Sequence, residues 1–111
     1  MPMIQTNYNA IPDELFGNYL NYLIGKVYKI LCMREEDDKT LEKYMRSLQR
    51  ELTGNQELIV KLKYDSDFLS LLGKIEFLIH HDPDLPIYKK DVFDSISLIK
   101  KMQEKYFEKE E

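Results

Sequence analysis

The run FLSLLGKIEFLIHHDPDLP, residues 68–86, decides how the chain folds. Between Phe68 and Ile79 the only polar side chains are Ser70, Lys74 and Glu76. A helix apolar nearly all round belongs in the centre of a bundle or at an interface. Asp65 or Ser66 can cap its start, since either side chain can accept from a free amide of the first turn. His80-His81-Asp82-Pro83 ends it, because proline and the residue before it disfavour further helix. Asp82-Pro83-Asp84-Leu85-Pro86 is then the clearest loop in the chain.

Downstream, a last helix is expected from near Ile87, with Val92, Ile96, Ile99, Met102 and Tyr106 on one side, fraying over residues 108–111. Upstream, Pro12-Asp13-Glu14 reads as a helix start, with proline suited to the first turn and two carboxylates matching the positive dipole end. Leu15, Phe16, Tyr19, Leu20, Leu23, Val27, Ile30 and Leu31 follow at helical spacing in a wide stripe. Carried to Met33, this helix spans ~30 Å. The acidic run Glu35-Glu36-Asp37-Asp38 breaks the pattern, and Asp37 or Asp38 is expected to cap a second helix with Leu41, Tyr44, Met45, Leu48 and Leu52 inside. Gly54 is expected to close that helix and Asn55 to open a shorter one through Leu58, Ile59 and Leu62. Residues 1–11 form an arm without pattern, and no strand alternation, hairpin turn or repeat stands out. The expected fold is all-α: a single domain, residues 1–111, as an antiparallel bundle of about five helices. Gly17, Gly25 and Gly73 fall inside helices, where each costs ~1 kcal/mol relative to alanine. Close helix crossings would explain them, as would a shallow groove on the first helix.

Composition narrows the function. The chain has 111 residues, 43% hydrophobic, with four glycines, four prolines and a net charge of −4. That excludes low-complexity and disordered classes. The charge is spread evenly, so the concentration of Lys and Arg needed to neutralise a phosphate backbone is missing. Cys32 is the one cysteine, which rules out an intrachain disulfide; between Leu31 and Met33 it reads as a small buried hydrophobe. No basic residue precedes Lys26, so no secretory leader is expected, and Asn18, Asn21, Lys26 and Lys29 interrupt the longest apolar stretch. A cytoplasmic protein is expected. One alanine against ten isoleucines, and thirteen lysines against three arginines, suggest AT-rich coding DNA of the kind found in many Gram-positive bacteria and their phages.

Catalytic groupings are scarce. The glycines are scattered, so there is no phosphate-cradling loop. His80 and His81 are adjacent, with no serine or cysteine in a recognisable nucleophile motif beside them. No catalytic residue, cofactor or metal is expected. Glu76 and His80 share a helix face and Asp82 or Asp84 could approach, but the spacing matches no strong metal signature and a Glu–His contact at a helix end explains it. Glu35 to Asp38 lacks the alternating oxygens and central glycine of a calcium loop.

Thirteen Tyr and Phe side chains exceed what a small helical core readily hides. Tyrosine suits interfaces, supplying apolar area with a polar tip. The leading expectation is a non-enzymatic protein that works through protein–protein contacts, as a homodimer, with Tyr8 and Ile11 from the arm, Tyr19 and Tyr22 from the first helix, and Phe77. The alternative is a DNA-binding regulator that uses residues 68–100 as a helix-turn-helix-like segment, with Tyr88, Lys89 and Lys90 on the nucleic acid. Asp91 and Asp94 would then face phosphate, which counts against it. In plan alone, a small helical bundle with a long last helix resembles bacteriocin immunity proteins and small phage-encoded regulators. An immunity-type inhibitor is what that resemblance implies.

Overall fold

The computed structural model describes residues 3–5 and 10–107. Four long helices dominate: α1 (Asp13–Glu35), α2 (Leu41–Leu58), α4 (Ser66–His81) and α5 (Leu85–Phe107), with α3 (Val60–Lys63) a single turn. The expected short fifth helix is reduced to α3 because α2 runs on through Gly54, whose φ is not positive and which therefore closes nothing. The arm also differs from expectation. β1 (Met3–Gln5) pairs antiparallel with β2 (Ala10–Pro12), Met3 opposite Pro12 and Ile4 opposite Ile11. Three-residue strands are too short for alternation to register in sequence. β1 lies against α1 and α3, and β2 against α1.

The core gathers the expected stripes. Phe16, Leu20, Leu23, Val27 and Ile30 from α1 meet Met45, Leu48 and Leu52 from α2, Phe68, Leu71, Ile75 and Leu78 from α4, and Val92, Ile99 and Met102 from α5. α1 packs on α5 and α2, and α4 packs on α5 and α2. Phe16 meets Tyr106 edge-on at 5.8 Å, Gln103 donates to Asn21 at 2.7 Å, and Tyr28 lies 6.4 Å from Phe93. Numbers thus fall along α5 as they rise along α1.

Helix ends follow local chemistry. Asp65 caps α4 by accepting from the Phe68 amide at 3.0 Å. Neither Asp37 nor Asp38 caps α2: Asp37 turns the chain at φ 56°, while Asp38 accepts from the Thr40 amide and hydroxyl ahead of the helix. Asp82 ends α4 in the left-handed region at φ 40°, a conformation aspartate tolerates better than most residues. α5 begins two residues before Ile87, since Pro86 sits in a first turn that needs no amide. The glycines do not mark close crossings among the described residues, where a Cβ at Gly17, Gly25 or Gly73 would meet no neighbouring atom within 4 Å. Among the described residues, no helix is long and apolar enough to cross a membrane.

Candidate functional site

The seam between α1 and α2 holds Tyr19 and Tyr22. The Asn55 side chain donates to the Tyr19 hydroxyl at 2.6 Å, so Asn55 ties α2 to α1 instead of opening a helix. Tyr19 is half-buried, and burial pushes its hydroxyl pKa up. Its ring stacks on Tyr22 at 6.0 Å. The Lys26 ammonium lies 5.5 Å from the Tyr22 ring and 5.2 Å from that of Tyr44. Tyr44 in turn donates to the Lys26 carbonyl at 2.7 Å, and burial pushes its pKa up to about 12. Tyr19 and Tyr44 are structural ties here. Tyr22 is the exposed member, with its hydroxyl 3.4 Å from Glu51.

α4 has a second kind of surface. Leu69 and Phe77 are 47% and 38% exposed, and Ser70, Gly73, Glu76 and His80 share the outer side. Phe77 lies against the His81 ring, with centroids 4.7 Å apart. His80 contacts Glu76 at 2.7 Å, and the Gln49 amide donates to the same carboxylate and holds its pKa down. Beside this face a groove of about 390 Å³ is lined by Ser70, Gly73, Lys74, Phe77 and Asp91. The Asp91 side chain is only 14% exposed; Lys74 sits 3.7 Å from its Oδ1, while Oδ2 is buried without a hydrogen-bond partner. Burial raises its pKa despite that lysine. Sequence periodicity gave no signal for this, and Asp91 entered the sequence reading only as a charge that would face phosphate in the DNA-binding alternative.

At one end of the bundle a cavity of about 290 Å³ has Met33, Leu41, Met45 and Leu78 among its walls and Arg34, Asp38 and Asp82 among its polar groups. The Arg34 guanidinium lies 5.2 Å from the Tyr88 ring, and the Tyr88 hydroxyl donates to Asp82 at 2.9 Å. Tyr88 is fully buried, and that burial raises its pKa, so it is a wall of this cavity and not a surface group that could meet DNA. Lys89 is exposed, and Lys90 pairs with Asp94 at 2.8 Å. The three residues named for nucleic acid thus do not form one face. Ile11 lies in β2, and Tyr8 lies outside the described residues. Cys32 is half-buried. Among the described residues, no three His, Cys, Asp or Glu side chains are grouped to hold a metal ion.

No protein-family model, curated protein or solved structure matches this chain.

Proposed function

We propose that this chain is a small non-enzymatic cytoplasmic protein that works through protein–protein contacts and pairs with itself. The observation that carries this reading is α4. It is the most apolar helix in sequence, yet it leaves Leu69 and Phe77 at the surface beside an open groove. Large apolar side chains left at the surface along one side of a helix cost solvation, which a partner commonly offsets. Tyr22 offers a second, smaller contact. The pairings along α1 and α5 support an antiparallel course of the bundle, with a rigid frame behind these side chains.

Affinity capture from the native host with the full chain, alongside light scattering of the pure protein, tests the reading. A specific protein partner or a dimer is expected, weakened by Phe77→Glu and, to a lesser degree, by Tyr22→Ala. A chain that is strictly monomeric at high micromolar concentration and captures no protein in a Phe77-dependent way overturns it.

A further inference from the structure

We infer that the outer side of the α1–α2 seam is a docking face for an acidic segment of another protein. This rests on the reading that the chain works through protein contacts, and adds a second surface, away from Phe77, with the charge of what it binds. Charge is even along the sequence and uneven in space. From Leu15 to Arg34 α1 carries no acid, and from Lys39 to Asn55 the acids are Glu42 and Glu51. The other carboxylates of this hairpin collect at its ends, Glu35 to Asp38 at one and Glu57 at the other.

Two rows of side chains make the face. On α1, Tyr22, Lys26 and Lys29 follow at helical spacing, and both ammonium groups lie over the Tyr44 ring, at 5.2 and 5.3 Å. On α2, Lys43, Ser47 and Arg50 are exposed along one side. Lys43, Arg46 and Arg50 also line a groove of about 370 Å³ with Glu42. The rows join through Tyr44, which donates to the Lys26 carbonyl, and through Glu51, 3.4 Å from the Tyr22 hydroxyl. Arg46 is engaged by Glu42 at 2.9 Å. Among the described residues, Lys26, Lys29, Lys43 and Arg50 enter no ion pair. Lysine and arginine hold their charge at neutral pH, so these cations stand unpaired on a chain whose net charge is −4.

The same geometry selects a protein segment over a nucleic acid. Tyr22 to Lys29 and Lys43 to Arg50 each cover two helical turns, about 10 Å, before the acidic ends begin. A phosphate backbone carries charge continuously and would run on into those acids. A short acidic segment, with carboxylates one and two turns apart, meets the cations and stops there. Tyr22, 48% exposed, adds the apolar area with a polar tip that protein interfaces favour.

The test is fluorescence anisotropy of the full chain at low salt with labelled poly-L-glutamate and with an oligothymidylate of equal charge. Binding of poly-L-glutamate is expected, tighter than that of the oligothymidylate and weakening as salt rises. Lys43→Glu with Arg50→Glu should weaken it at least ten-fold. Lys100→Glu with Lys101→Glu makes the same change of net charge at exposed positions of α5 and should alter it less than two-fold. Helicity by circular dichroism should match in all chains. No binding at low salt, or equal loss in the two double variants, overturns the inference. Tighter binding of the oligothymidylate also overturns it, by giving the face to nucleic acid. A chain that passes these tests but neither dimerises nor captures protein through Phe77 removes the α4 reading and leaves this face standing.

Discussion

Two aspartates are held close to lysines beside α4, and their surroundings are opposite. Asp65, at the start of the helix, has a side chain 1% exposed with both oxygens engaged. Its Oδ1 accepts from the Phe68 amide, and its Oδ2 accepts from the Tyr106 hydroxyl and from Lys105 at 2.9 Å. Burial works against the Asp65 charge, yet these donors outweigh it and hold the carboxyl below its usual range. Asp91 has one shared lysine, a second carboxylate nearby and an empty Oδ2, so burial wins and its pKa rises. The deeper of the two carboxylates is thus the better ionised. Donors, and not depth, decide whether a buried charge binds the fold together or strains it.

The largest expected effect is at Asp65. Asp65→Ala removes the cap of α4, takes away the carboxylate that accepts from the Tyr106 hydroxyl and leaves Lys105 beside Asp67, 3.2 Å away. Lost cap and lost charged hydrogen bonds together should cost about 3 kcal/mol, a fall of roughly 10 °C in Tm. The sign with pH is fixed by the lowered value: the contribution is present above the ordinary carboxylate range and fades as pH falls through the folded value. The gap between wild type and Asp65→Ala, measured by urea unfolding, should therefore narrow in acid. A loss under ~1 kcal/mol at neutral pH would show that the clamp is idle.

A smaller effect isolates one arm of that clamp. Tyr106→Phe keeps the edge-on ring contact with Phe16 and removes the donor to Asp65. It should cost about 1.5 kcal/mol alone and less in an Asp65→Ala background, since the carboxylate that accepts from the hydroxyl is then gone. Equal costs in the two backgrounds would mean that the hydroxyl and the carboxylate act independently.

The same contrast separates what could be read from the sequence from what could not. The helical stripes of α1, α2, α4 and α5 were legible because burial imposes a period of three to four residues on side-chain choice. The cap at Asp65 was legible for a related reason: it stands just before the apolar run it opens. Its link to Lys105 and Tyr106 was not, because forty residues of chain separate them and no local rule joins them. Tyr88 misled through its flanking lysines, while the acceptor that draws it inward, Asp82, lies on the other side of the loop. Gly54 misled because a helix can carry a glycine where neighbouring turns pack well enough to outweigh its entropy. Phe77 was legible as a surface residue, since a helix that is apolar all round exceeds what one small core can cover.

The smallest expected effect tests the strained partner in the comparison. Asp91→Asn keeps the side chain's size and removes a charge that the folded chain holds poorly. A carboxyl whose folded pKa lies above its unfolded one costs stability once the pH exceeds the unfolded value, and the cost vanishes below it. The substitution gives up the Lys74 pair, which is worth ~0–1 kcal/mol for a partly exposed lysine. The raised pKa means that burial outweighs that attraction. Asp91→Asn should therefore leave the monomer as stable as wild type at pH 7, or more stable by under ~1 kcal/mol, with the difference closing as the pH falls. A clear loss of stability at pH 7 would place Asp91 with Asp65, as a carboxylate that the fold needs charged, and the contrast between the two would collapse.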